Sequence, residues 1–218
     1  MSEARARRLT ILRAAGLYLV TDDRQTPEAR RRVVAEALAA GVRVVQLRDK
    51  TAMGGALLAE AEDLAALCHA HGAVLIVNDR ADVAVAAGAD GVHVGQGDLP
   101  LAAARRVVGD DLLVGVSASF VEEAVAAERD GADYVGFGAM FATPTKEDAE
   151  YAGPALLAEA RERTRLPLVA IGGITAENAP AVLAARPDLL AVVSAVSGAS
   201  EPGAAARELL ALIRAAQV

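Results

Sequence analysis

Eight short apolar runs, each of four to six residues and each followed by polar residues and a helical stretch, fix what this chain can become. They are 16–21, 42–47, 73–77, 91–94, 112–116, 133–137, 167–171 and 189–193. Runs this short, rich in Val, Leu and Ile, read as strands buried on both faces, as in a parallel sheet covered by helices. Helical stretches follow at about 27–40, 52–71, 80–87, 99–108, 120–130, 154–164, 176–185 and 203–216, with a leading helix at 2–14. Pro27 suits a first helical turn and Gly41 a helix stop. Eight such units in about 200 residues predict a (β/α)8 barrel, since an open doubly wound sheet usually has fewer strands. An internal echo agrees: Gly41-Val42-Arg43-Val44, Gly88-Ala89-Asp90-Gly91-Val92 and Gly131-Ala132-Asp133-Tyr134-Val135 recur every 43 to 47 residues, two units apart. The expectation is one α/β domain over residues 1–218, with a leading helix in 1–15 and a TIM barrel in 16–216.

Composition narrows the functional classes. The net charge of −7 gives no basic field for nucleic acid. No apolar run approaches a membrane span and no secretory h-region follows the basic start, which points to the cytoplasm and to no membrane partner. The lone Cys68 reads as a small core residue. Hydrophobic residues are 54% of the chain but aromatics only 3%, which suits close packing of helices on a sheet. Alanine-rich helix faces suit a homodimer as well as they suit packing on the barrel.

Of 22 basic residues only two are lysine, Lys50 and Lys146, and each lies just beyond an expected strand. A chain that otherwise uses Arg points to a need for a compact, strongly hydrated charge at these two places; the alternative is two stray surface lysines. Lys146 closes Thr143-Pro144-Thr145-Lys146, whose hydroxyls, fixed turn and ammonium read as a phosphate site. In such barrels the active site lies at the C-terminal strand ends, and the unusual polar residues gather there. They are Gln46-Leu47-Arg48-Asp49-Lys50, Asn78-Asp79-Arg80, Gln96-Gly97-Asp98, Ser117, Gly172-Gly173 and Ser194. Asp79 and Asp98 project from neighbouring loops. With Arg48 and Lys50 nearby they suit a magnesium ion that also takes diphosphate oxygens, though each aspartate could instead cap a helix. The Gly172-Gly173 pair lets a phosphate approach backbone amides, or merely eases a tight turn. His93, inside an expected strand, reads as a core or supporting residue. No Ser-His-Asp or Cys-His order fits acyl transfer, and Gly136-Phe137-Gly138 lacks the rest of a dinucleotide fingerprint.

These residues together resemble the thiamine phosphate synthase family. The match runs over about 16–198 in the family's order: Gln46-Leu47-Arg48-Asp49-Lys50, Asn78-Asp79-Arg80, Gly95-Gln96-Gly97-Asp98-Leu99-Pro100, Gly115-Val116-Ser117, Thr143-Pro144-Thr145-Lys146, Ile171-Gly172-Gly173-Ile174 and Val193-Ser194. The resemblance implies a transferase that joins 4-amino-2-methyl-5-(diphosphooxymethyl)pyrimidine to 4-methyl-5-(2-phosphoethyl)thiazole, or its carboxylated form, releasing pyrophosphate with Mg2+. Carried over by motif, Gln46, Leu47, Arg48, Asp49, Lys50, Asn78, Ser117 and Lys146 hold the pyrimidine diphosphate. Asp79 and Asp98 hold the magnesium. Thr143, Thr145, Gly173, Val193 and Ser194 hold the thiazole phosphate, and Pro144 between the two threonines is counted among the substrate-binding residues. Arg48, Lys50, Ser117 and Lys146 are the expected catalytic residues.

The chain departs from that family's pattern at Ala139 and Ala142, where proline is common, at Ala118-Ser119, where a histidine is frequent, and at Asp188-Leu189-Leu190, which replaces a glycine-rich entry. Two other readings compete. A thiazole tautomerase on the same fold needs an acid-base group near the thiazole, and no histidine follows the fifth strand here. A non-catalytic sensor of thiamine precursors need not keep both aspartates and both lysines.

Overall fold

Strands with apolar side chains on both faces need cover inside and out, and the chain meets this by closing the sheet on itself. The computed structural model describes residues 1–142 and 151–216 and holds eight parallel strands in chain order: β1 Leu17–Val20, β2 Val44–Leu47, β3 Val74–Asn78, β4 Gly91–Val94, β5 Leu113–Ala118, β6 Tyr134–Phe137, β7 Leu168–Ile171 and β8 Leu189–Val192. β1 pairs with both β2 and β8, which closes the barrel. Outside it run α2 Pro27–Ala40, α3 Gly54–Ala70, α4 Ala81–Ala86, α5 Leu101–Val108, α6 Val121–Arg129, α7 Gly153–Arg163, α8 Ala179–Leu183 and α10 Pro202–Ala216. The leading helix α1 is Glu3–Ala14, and a short α9, Ser194–Ser197, follows β8. The expected eight-stranded barrel is therefore what forms.

Two elements differ from expectation. The stretch read as helix 176–185 contributes only Ala179–Leu183, because its start is used in a turn in which the Thr175 amide donates to the Asn178 side-chain oxygen at 2.8 Å. α9 was not expected. It begins where Val193 leaves the extended conformation, and four residues are too few to show a helical period.

Period-two alternation divides the apolar residues into two cores. Val45 and Leu47 of β2 point outward and pack with Leu38, Leu57 and Leu64 of the helical shell. Val44, pointing inward, joins Tyr18, Val74, Ile76, Leu113, Tyr134, Val169 and Leu189 in the lumen. Leu12 of α1 is fully buried and belongs to this second core, so α1 stops the N-terminal end of the barrel. Local signals set the helix limits. The Thr26 hydroxyl accepts from the Ala29 amide ahead of Pro27, and Gly41 ends α2 at φ 112°.

The internal echo has a structural meaning. Gly88 and Gly131 take positive φ, and the aspartate two residues later accepts an amide from the preceding strand: Leu75 donates to Asp90 at 2.9 Å and Val114 to Asp133 at 2.8 Å. Asp188 repeats this with Leu168 at 2.8 Å, following Arg186 at φ 57° in the glycine's place. Each carboxylate also meets arginine: Arg8 for Asp90, Arg5 and Arg105 for Asp133, Arg161 for Asp188. The first copy carries Arg43 and has no such carboxylate. These clamps lie at the N-terminal ends of the strands, which leaves the other end for chemistry.

Candidate active site

At the C-terminal ends of the strands lies a cavity of about 560 Å3. From β2 and its loop it takes Gln46, Arg48 and Lys50; from β3, Asn78 and Asp79; from β4 and its loop, His93, Gln96 and Asp98; from β5, Ser117 and Ser119. Gly172, Gly173, Val193 and Ser194 complete it from β7 and β8, across the barrel from β3. A smaller cavity of about 260 Å3, lined by Gly16, Leu183, Arg186 and Ile213, is at the opposite end and holds none of the expected site residues.

The acidic pair sits at the junction of the β3 and β4 loops. Asp79 adopts φ 61°, a left-handed conformation that costs a non-glycine residue about 1 kcal/mol, and such strain collects at functional sites. Burial raises the Asp79 pKa and its hydrogen bond with Asp98 adds to this, against the opposing pull of Lys50, whose Nζ is 3.2 Å away. Burial would also raise Asp98, but the hydrogen bond from Asp79, the Gly95 amide at 2.9 Å and Lys50 outweigh it and hold Asp98 low. Two carboxyl groups held this close, with only Lys50 beside them, form a place where a second cation would relieve their mutual repulsion. Among the described residues no group of three or more His, Cys, Asp or Glu could hold a metal alone. Two carboxylates completed by substrate oxygens and water nevertheless fit magnesium, which is commonly held in that way.

Arg48 reaches the cavity with its guanidinium 2.5 Å from Asp23, and its amide donates to the Thr21 hydroxyl at 2.9 Å. A polar chain crosses the cavity floor. Gln46 Nε2 donates to Tyr18 at 2.7 Å, Tyr18 and Tyr134 share a hydrogen bond at 3.0 Å, and His93 touches Tyr134 at 3.1 Å and Ser117 at 3.0 Å. Burial raises the pKa of both tyrosines, so they act here as neutral hydroxyls. Glycines make the room: a Cβ on Gly115 would lie 2.1 Å from the Tyr134 ring, and one on Gly136 would lie 3.0 Å from His93.

The glycine pair after β7 has a packing duty as well. Gly172 at φ 104° and Gly173 at φ 65° let residues 139–142 pass close by, since added Cβ atoms would lie 2.7 Å from the Ala139 Cβ and 2.8 Å from the Ala142 oxygen. Met140 and Phe141 donate their amides to Ile171 and Gly172 at 2.9 and 3.0 Å, and Ala139 accepts from Ala152 at 2.9 Å. Thus Ala139, one of the departures from the family pattern, is held from both sides.

Ten of the expected residues line one cavity: Gln46, Arg48, Lys50, Asn78, Asp79, Asp98, Ser117, Gly173, Val193 and Ser194. Leu47 and Asp49 do not line it. Leu47 belongs to the outer core, and Asp49 turns away to Arg30, as strand and loop alternation requires. Thr143, Pro144, Thr145 and Lys146 lie outside the described residues. Sequence reading passed over Tyr18, Tyr134 and Asp23. The two tyrosines carried a signal, as two of only three in the chain, both inside strands.

Comparison with known proteins gives the following. The family model described as thiamine monophosphate synthase matches residues 17–196. The thiamine-phosphate synthase of Methanocella arvoryzae is 50% identical over 203 residues, covering 90% of this chain and 94% of its own. That of Methanospirillum hungatei is 46% identical over 200 residues, covering 91% and 97%. The solved thiamine phosphate pyrophosphorylase from Pyrococcus furiosus superposes with a TM-score of 0.88 at 37% identity, covering 98% of this chain and all of that one.

Proposed function

The chain belongs to the thiamine monophosphate synthase family, and on that footing we propose that it joins a hydroxymethylpyrimidine diphosphate to a thiazole phosphate, giving thiamine phosphate and pyrophosphate. The observation that supports this most is the division of the cavity. Arg48, Lys50, Asp79 and Asp98 stand on one side, and the Gly172-Gly173 turn with Ser194 on the other. Such a cavity suits two phosphorylated molecules held with their reacting ends toward each other, and that positioning supplies much of the rate.

Asp79 and Asp98 are the residues that would hold magnesium, which when bound neutralises charge on the diphosphate oxygens. Arg48 and Lys50 stabilise the same charge as the bond from the pyrimidine methylene carbon to the diphosphate oxygen breaks and its electron pair leaves with pyrophosphate. The thiazole nitrogen then gives its lone pair to the methylene carbon and forms the new C–N bond. No protein nucleophile takes part. Gln46, Asn78 and Ser117 orient the pyrimidine. Gly173, Val193 and Ser194 hold the thiazole phosphate. From the sequence motif, Thr143 and Thr145 join the second group and Lys146 adds a third positive charge to the first.

The test is incubation of the purified protein with both substrates and magnesium, followed by product identification. One pyrophosphate should appear for each thiamine phosphate. Isomerised thiazole without condensation would favour the tautomerase reading, and binding without turnover the sensor reading; either would overturn the proposal. No helix among the described residues is long and apolar enough to cross a membrane.

A further inference from the structure

Among the described residues the largest fully buried side chain is a cation, Arg30 of α2, only 2% exposed. Its guanidinium grips Glu60 of α3 with two hydrogen bonds, at 2.7 and 2.6 Å, and donates to the Gln25 carbonyl at 2.8 Å. The second proton on the nitrogen that binds Glu60 Oε2 reaches the β2 loop, where it goes to Asp49 Oδ2 at 2.9 Å. The other oxygen of Asp49 accepts from the amides of Thr51 and Ala52 at 2.8 and 2.9 Å and from the Thr51 hydroxyl at 2.8 Å. Burial alone would raise the Asp49 pKa, but these amides, the hydroxyl and Arg30 outweigh it, so the group stays ionised.

Asp49 therefore uses both oxygens to fix the backbone between two residues that face the cavity, Arg48 before it and Lys50 after it. Ion pairs this buried are costly to assemble and are weak evidence for stability as such. An exposed turn could have been capped by Asp49 without a buried arginine. What Arg30 adds is a rigid fork that ties the loop to α2 and α3 together.

We propose that Arg30 and Asp49 form a positioning pair for the diphosphate side of the cavity, holding the loop so that Arg48 and Lys50 address the same phosphate oxygens. This rests on the reading of that loop as the diphosphate site, and it changes the expected job of Asp49 from touching substrate to aiming its neighbours.

The test is steady-state kinetics of Asp49→Asn with each substrate varied in turn. The amide keeps an acceptor for Thr51 and Ala52 but sets a donor against Arg30, while Arg30 retains Glu60. The KM for the pyrimidine diphosphate should rise about tenfold and that for the thiazole phosphate stay within about twofold, because only one half of the cavity is displaced. Arg30→Lys, which keeps the charge and loses the fork, should shift the same constant. Asp133→Asn, which disturbs a buried carboxylate at the far end of the barrel, should lower thermal stability and leave both constants unchanged. Equal shifts for both substrates, or none, would overturn the pair. So would failure of Asp49→Asn to fold, by making the carboxylate a requirement of the fold. Lys50→Met separates the underlying reading. If it leaves the pyrimidine constant unchanged, the loop is not the diphosphate site; if it raises that constant while Asp49→Asn does not, only the positioning pair fails.

Discussion

Asp79 combines a left-handed backbone with a pKa raised by burial and by the neighbouring Asp98, and both oppose folding of the metal-free protein at neutral pH, only partly offset by Lys50. Asparagine tolerates that backbone better and carries no charge to repel Asp98. Asp79→Asn should therefore raise the stability of the metal-free protein by about 1 kcal/mol, a midpoint shift of about 2–4 °C for a chain of this size. Turnover should fall at least about a hundredfold, on the scale of losing a charge-stabilising group. Thermal denaturation in chelator and an activity assay check both parts, and a destabilised variant would contradict the account of the acidic pair. Asp98→Asn should lose most activity with its fold intact, since magnesium prefers a carboxylate; near-normal turnover at low magnesium would remove it from the metal site. The carboxylates were legible in the sequence because each stands one residue past a strand or in a short polar turn. The floor chain from Gln46 to Ser117 was not. Hydrogen bonds among Tyr18, Tyr134 and His93 join residues up to 116 positions apart, and no local pattern encodes which hydroxyls meet in a barrel lumen.

Among elements, the Gly-x-Asp clamps decide how the barrel holds together at its N-terminal end. Gly131 has φ 89° and open space around the place of a Cβ, so Gly131→Ala should cost only the backbone term, about 1–2 kcal/mol, read by denaturant titration. Asp133→Asn removes charge from a group that accepts from Val114, Arg5 and Arg105, and should cost about 2 kcal/mol. An unchanged midpoint in both would show that the repeat is incidental. All eight strands could be read from the sequence because each is a short, doubly buried run with a clear start and stop. α9 and the true start of α8 could not, since both depend on turns built after the strand end and not on apolar period. Asp49 shows the same limit at a loop. The motif marked it as part of the site, but only the buried Arg30, nineteen residues earlier, tells which way its carboxylate turns.

For the whole molecule, one barrel end carries the packing clamps and the other the cavity, which in the proposed reading is divided between two substrates. Strand order alone sets β2 to β4 across from β7 and β8, so sequence position already predicts which residues share a half. The most direct measurement of this division is a pair of variants assayed with each substrate varied in turn. Lys50→Met removes a charge from the first half, and Ser194→Ala removes a hydroxyl from the second. Losing a hydrogen bond or contact to a charged group costs on the order of 1.5–3 kcal/mol, about tenfold or more in an apparent binding constant. Lys50→Met should raise the KM for the pyrimidine diphosphate by at least about tenfold and leave that for the thiazole phosphate nearly unchanged, and Ser194→Ala should do the reverse. Both variants acting on the same substrate, or each on both equally, would contradict a divided cavity.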